Sequence, residues 1–483
     1  MIAMKFGGSS LAAAPEIERV VEIVRARLAR RPLVVVSAMA RTTRSLLAAS
    51  DAAARGDSAA HEALRGEIRA FHDSVGSAVA APEDLPDLRA ALDRKFSDLD
   101  AVLAQIAAAG EMTPRLQDAV VSFGELLSSE IFTRALRRAG IAARFVDCRE
   151  VLKTDAAFTR ARPLYPETEA CLTATVLPIL ERGEVPVIGG FVGRTIEGIT
   201  TTLGFEGSDF SVAIFGAALG AEEIQIWTDV SGILSADPRL YPAARRVPAL
   251  SFAEGLELAW SGSKKPHPGT LEPARHRGVP IRILSSHRPE GAEERSTRIG
   301  AETGEAAASP AFKSIACRRN SHLLRIHPLG AASLDEIRPA VRAAIERTRP
   351  ALLPLGEEEG AIDLALDSAD RLAEVLAALP REIRLEILPG REVVSLICEN
   401  LAAGSDLAKR ALAAAAGRSP RLIPPGGGEG APAIRLLADE REIHAVVAHL
   451  HRELMGEEAE VPFEAAPRSE QANGTPAVEE SPR

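Results

Sequence analysis

The chain has 483 residues, more than one hydrophobic core organises, so two or three domains are expected. Its 57 Lys and Arg against 67 Asp and Glu give a net charge of −10, which argues against nucleic acid or an anionic membrane as the main partner. Cys148, Cys171, Cys317 and Cys398 stand far apart without a CxxC pair, so neither a disulfide framework nor a zinc site is suggested. No apolar run approaches the ~20 residues of a membrane span. The chain enters a strand pattern at Ile2 with no signal-peptide layout, so the cytoplasm is the expected location.

Ile2 to Phe6 reads as a short buried strand that runs into the turn Gly7-Gly8-Ser9-Ser10. Pro15 opens a helix whose apolar positions Ile17, Val20, Val21, Val24 and Leu28 share one face, and Leu33 to Val36 is a second strand. This is a βαβ unit, and in parallel sheets the working residues gather at the carboxyl ends of the strands. Residues 44–110 read as Ala-rich amphipathic helices beside the sheet. A long helix from about Leu116 to Arg138 precedes a strand at Ala142–Val146. A helix near Cys171–Glu181 precedes Val185–Ile188, and one from about Ser208 to Leu219 precedes Ile224–Trp227.

After the polar stretch Gly291–Ser309 the rhythm changes to short strands and single helices, repeated in two comparable halves. The expected division is an α/β domain over 1–295, small α+β modules over 311–385 and 386–456, and a tail over 457–483 whose Glu/Pro/Ala/Ser-rich composition predicts disorder. Phe312–Cys317 and Leu323–His327 are expected as strands of the first module.

Four segments carry candidate chemistry. In Lys5-Phe6-Gly7-Gly8-Ser9-Ser10, glycines let backbone N–H groups close on phosphate oxygens while the lysine adds a mobile charge. The GxxxxGK[ST] spacing of a P-loop is absent, and taken alone the segment is equally a plain strand turn. Gly189 to Gly193 and Thr200 to Asp209 form a glycine-rich approach to a helix N-terminus, which aims N–H donors at one spot; Asp209 alone is also a simple capping carboxylate. Thr228-Asp229 follows the next strand and Asp237-Pro238-Arg239 closes its loop. Gly262-Ser263-Lys264-Lys265-Pro266-His267-Pro268 sets a lysine between a helix end and a turn.

In order and spacing over residues 1 to about 290, these segments resemble the aspartokinases of the amino-acid kinase family. That family's KFGGTS, SHGE, GFxG, TTLGRGGSD, WTDVxGxxTxDPR and GAKVLHP motifs read here KFGGSS, SFGE, GFVG, TTLGFEGSD, WTDVSGILSADPR and GSKKPHP. The resemblance implies a three-layer αβα kinase fold with a mainly parallel sheet, followed by two ferredoxin-like ACT modules. It implies phosphorylation of the aspartate side chain by ATP with Mg2+, the first step of lysine, threonine and methionine biosynthesis. It also implies a homodimer or higher oligomer through the ACT modules. By the same resemblance Lys5 and Asp209 are catalytic, Lys5 stabilising charge on the transferring group and Asp209 keeping that lysine in position by charge pairing. Lys5, Gly7, Gly8, Ser9, Thr228, Asp229, Asp237, Arg239 and Lys264 hold ATP, and Thr43, Glu125, Phe191 and Ser208 line the aspartate pocket. A carboxylate acceptor is already ionised at neutral pH, so no general base is required. Phosphoryl transfer then rests on positioning and charge neutralisation.

The chain departs from the family at Phe205 and Glu206, where the family has the arginine that grips a substrate carboxylate and then a glycine. Loss of such a buried pair costs about 2–5 kcal/mol, or roughly 30- to 4,000-fold in affinity. Arg41 and Arg44 flank Thr43, and Arg194 follows the GFVG loop. They are the candidate compensating cations, unless all three face solvent. The family's effector turn reads Leu329 to Leu334, and its ligand-facing hydroxyl strand reads Leu352 to Glu357. Two other readings stay open: a related kinase with a different carboxylate substrate, and a catalytically weakened regulatory paralogue.

Overall fold

The structure, a computed structural model, describes residues 1–204, 206–263, 266–301, 312–318, 322–330, 332–348, 352–358, 360–366, 372–388, 390–398, 409–411, 413–414, 421–423 and 433–455. The expected disordered tail, Phe205 and Lys264 lie outside the described residues.

Ten strands build the first part of the chain: β1 (Ile2–Phe6), β2 (Pro32–Val36), β3 (Ala143–Val146), β4 (Val185–Gly189), β5 (Val192–Arg194), β6 (Thr200–Thr202), β7 (Ile224–Thr228), β8 (Ala249–Ser251), β9 (Ile281–Ser285) and β10 (Thr297–Gly300). Eight of them form one sheet in the order β3-β4-β2-β1-β7-β9-β10-β8, parallel except where β10 meets β9; β5 and β6 form a separate hairpin. The period-two alternation of the strands divides the core. Ile2, Met4, Phe6, Val34 and Val36 face the helices Ala14–Arg25, Ser58–Val79, Leu85–Ala109 and Pro114–Arg138. Ala3, Leu33 and Val35 face the helices Tyr165–Thr175, Gly207–Ala218, Phe252–Trp260 and Pro268–Arg277. β2 and β4, buried on both faces, read as unbroken apolar runs, as is usual in parallel sheets, whereas Lys5 and Gln225 interrupt β1 and β7. The helix Pro114–Arg138 is buried all round from Val120 to Leu136, since it is sandwiched between the sheet and the helical layer of residues 42–109.

The helix expected over Cys171–Glu181 is two helices, Tyr165–Thr175 and Leu177–Glu181. Pro178 is the reason: it lacks an N–H and its ring crowds the carbonyl four residues back, so the chain restarts a helix at Leu177.

Among the described residues eight further strands follow: β11 (Ser314–Arg318), β12 (His322–Pro328), β13 (Leu352–Glu358), β14 (Ala361–Leu366), β15 (Ile383–Leu388), β16 (Arg391–Ile397), β17 (Arg421–Ile423) and β18 (Ala433–Asp439). They form two antiparallel four-stranded sheets, β13-β14-β12-β15 and β11-β16-β18-β17. Helices Leu334–Thr348 and Leu372–Ala378 pack on the first, and helix Ile443–Met455 packs on the second. One strand is corrected. β11, expected in the first module, pairs with β16 from Ser314↔Ile397 to Arg318↔Val393, so it completes the second sheet. Its apolar Ile315 is buried with Val394, Leu436 and Val447, and that burial decides the pairing over sequence proximity. Among the described residues no helix is long and apolar enough to cross a membrane.

Candidate active site

Lys5 shares its strand face with Ala3, so it points into the layer that holds the helix Gly207–Ala218. There its ammonium forms a buried ion pair with Asp209, in the first turn of that helix; the side chains are 8% and 5% exposed. The pair lies at the carboxyl end of β1, where Gly7 donates its N–H to the Trp227 carbonyl of β7 (3.3 Å). At Gly8 a Cβ would sit 2.5 Å from the Ala38 carbonyl oxygen, so only glycine lets the turn close against the end of β2. Ser9 is exposed, while Ser10 is buried and hydrogen-bonded to Ser286 (2.7 Å).

Glu125 projects from the long helix beneath the same strand ends and is 4% exposed. Its Oε1 accepts the Ala38 N–H (3.1 Å). Burial pushes its carboxyl up to about 8, against the opposing pull of the Ala38 hydrogen bond and the Lys5 charge. The next turns close tightly around it. A Cβ on Gly124 would lie 2.7 Å from the Ala38 methyl and 3.7 Å from the Thr43 hydroxyl, which places Thr43 against the Glu125 turn. A Cβ on Gly190 would lie 2.7 Å from Cα of Ser208, so the end of β4 meets the N-terminus of the Gly207–Ala218 helix at closest approach. Phe191 has φ of 63°, is held by its N–H donating to Ser211 Oγ (2.8 Å), and packs its ring against Gly207. Glu206, just before the helix, has φ of 54°, the left-handed region that favours glycine.

Lys5, Gly7, Gly8, Asp209, Ser208, Phe191, Glu125 and Thr43 are therefore brought together. Thr228 is buried at the end of β7 and donates to the exposed Asp229 (2.9 Å). Asp237 and Arg239 lie farther along the loop and pair with each other, Arg239 Nε to Asp237 Oδ1 at 3.0 Å. Arg41 and Arg44 are exposed at the start of helix Thr42–Ala54. Arg194 forms a backbone β-bridge with Lys153, and its charge adds to the burial that lowers the Lys153 ammonium.

Asp118 was not singled out from the sequence. It is fully buried and accepts from the Thr202 N–H (3.0 Å), the Thr202 hydroxyl (2.5 Å) and the Thr159 N–H (2.9 Å). These bonds tie the Glu125 helix to the hairpin that leads to Ser208. The signal for it existed: Asp118 stands seven residues before Glu125, two helical turns away on the same face. His267 lies in the Gly262–Pro268 segment and caps the helix Pro268–Arg277. It comes near Asp209, whose charge acts against the burial that lowers the imidazole.

Such a site, a lysine and glycine-rich turns at the carboxyl ends of a mainly parallel sheet, has the layout of an anion-handling phosphotransferase domain. Residues 1–285 match the amino acid kinase family. Lysine-sensitive aspartokinase 3 of Escherichia coli is 32% identical over 417 residues, covering 85% of this chain and 88% of the relative. Aspartokinase 1 (chloroplastic) of Arabidopsis thaliana is 31% identical over 408 residues, covering 82% and 70%. The crystal structure of E. coli aspartokinase III in complex with aspartate and ADP superposes with a TM-score of 0.79 at 29% identity, covering 94% of this chain and 100% of that one. The chain belongs to the amino acid kinase family and, within it, to the aspartokinases.

Proposed function

We propose that the protein transfers the γ-phosphoryl group of ATP to the side-chain carboxylate of L-aspartate and releases 4-phospho-L-aspartate and ADP. The observation that carries this reading is the convergence of the Lys5–Asp209 pair, the Gly7-Gly8 turn and the buried Glu125 at one set of strand ends. Lys5 meets the charge that spreads over the transferring phosphoryl oxygens, and Asp209 holds the ammonium in place until then. Glu125 receives the substrate ammonium, with Thr43, Phe191 and Ser208 around it. Thr228, Asp229, Asp237, Arg239 and Lys264 hold the nucleotide. Asp229, whose exposed carboxylate is a hard oxygen donor two residues after the Trp227 carbonyl that meets the Gly7 N–H, would be suited to hold Mg2+, which would supply neutralisation of phosphate charge. The two small modules serve as ACT-type dimerisation units.

The test follows ADP release with aspartate, glutamate or no acceptor, and traps the acyl phosphate as a hydroxamate. Aspartate-dependent hydroxamate is expected. A signal no higher than the no-acceptor control sinks the reading.

The substrate carboxylate also needs a cation where the family arginine is missing. Arg41 and Arg44, exposed on either side of Thr43, are placed to supply it; Arg194 meets Lys153 through the backbone, its Nε has no hydrogen-bond partner among the described residues, and it is the third candidate. Alanine at one of the three should raise aspartate KM about tenfold or more, the loss of a charge-assisted pair, and leave ATP KM within about twofold. Wild-type KM in all three variants removes the compensation idea.

A further inference from the structure

The loop between β7 and β8 leaves the large sheet, and its middle is fastened elsewhere. Ser235 donates its N–H to the Arg245 carbonyl (2.6 Å), and its hydroxyl accepts the Arg245 N–H (2.8 Å). Its other two partners belong to the second small module. The Ser235 carbonyl accepts the Ile315 N–H of β11 (2.7 Å), and its Oγ is hydrogen-bonded to Nε2 of His451 on the helix Ile443–Met455 (2.8 Å). Neighbouring bonds repeat the pattern. Ser314 donates to the Leu234 carbonyl (2.9 Å), Ala236 bridges Ile315, and the Tyr241 ring lies over the His451 imidazole with centroids 4.3 Å apart. His451 is 1% exposed and Ser235 6%.

We propose that His451 is a positioning residue for the nucleotide site. It fixes Ser235 and thereby the loop that carries Asp237 and Arg239 two and four residues on. The inference rests on the reading of that loop as nucleotide-binding and extends it to a helix more than 200 residues away in sequence. Surface loops carry function only when a rigid scaffold holds them, and here the scaffold is the second module. A loop whose buried hydroxyl loses its partner relaxes to recover hydrogen bonds, and its ligand groups lose their alignment. Burial, with the Arg245 charge acting in the same direction, lowers the His451 imidazole to about 4. The ring is therefore neutral at neutral pH, and the bond is a fixed brace.

The experiment uses the full chain with His451→Leu, His451→Gln and wild type, and measures ADP affinity by calorimetry together with the KM of ATP, the KM of aspartate and kcat. His451→Leu should weaken ADP binding and raise ATP KM about tenfold, a factor set by lost loop alignment, with aspartate KM within about twofold. His451→Gln, which keeps a polar group in reach of Ser235, should recover most of the loss. If His451→Leu does not fold, Ser235→Ala removes the bond from the loop side and should give the same split. Unchanged ADP affinity in a folded variant overturns the inference, and so does an equal loss for aspartate and ADP. Arg239→Ala and Asp229→Ala separate the two claims. If neither weakens ADP binding, the nucleotide reading of the loop fails. If they do while the His451 variants do not, only the brace fails.

Discussion

Lys5→Ala is expected to lower kcat by about two or more orders of magnitude with a modest change in aspartate KM, because a charge that meets the transferring phosphoryl group acts mostly in the transition state. The ion pair with Asp209 adds a second consequence. Removing one partner of a buried pair leaves the other charge uncompensated, which costs about 3–5 kcal/mol. Lys5→Ala should therefore also lower Tm, and Asp209→Ala should do so too. The double variant Lys5→Ala/Asp209→Ala, which leaves neither charge orphaned, should recover part of the lost Tm and none of the lost kcat. Steady-state kinetics and thermal unfolding on the three variants separate the roles. An unchanged kcat in folded Lys5→Ala removes Lys5 from the chemistry, and equal recovery of both quantities in the double variant would make its role purely structural.

Glu125→Gln is expected to raise aspartate KM at least about tenfold and, at alkaline pH, to raise Tm. The two effects share one cause. The folded carboxyl is pushed up to about 8 from an ordinary value of 4.5. Between those values the folded chain holds a proton that the unfolded chain has released, so stability falls as pH rises from 4.5 to 8 and stays lost above 8. Glutamine removes that dependence, and the gap in Tm between variant and wild type should open across this window. Substrate binding works in the opposite direction, because an ammonium beside Glu125 favours its ionised form. Aspartate binding below pH 8 should release a proton, and aspartate KM should fall as pH rises toward 8, by up to about tenfold per unit. Calorimetry in buffers of different ionisation enthalpy counts the proton. If none is released near pH 7 and the KM is flat from pH 6 to 8, Glu125 does not receive the ammonium.

The two variants divide the site by function. In the proposed assignment Lys5 meets the charge that develops during transfer, so its loss should be read in kcat. Glu125 receives the acceptor in that assignment, so its loss should be read in KM. Both lie at carboxyl ends of parallel strands or on the helix beneath them, where chain reversals leave glycine turns and helix N-termini facing one another.

Much of this was legible in the sequence because it is local. Apolar alternation and 3.6-residue periodicity depend on a few neighbouring residues, so the strands Ile2–Phe6 and Val185–Gly189 and the helix ending at Arg138 were readable to within a few positions. Lys5, Glu125 and Asp209 stood out because their glycine-flanked settings and order matched a family pattern. What the tertiary structure alone decided involves partners far apart in the chain. The pairing of β11 with β16, the three bonds gathered by Asp118 and the His451–Ser235 brace all join groups that no local rule relates. The raised carboxyl of Glu125 belongs with them. Desolvation is a property of everything packed around a group, and a glutamate in a helical sequence carries no mark of it until β2, β4 and the long helix close over it.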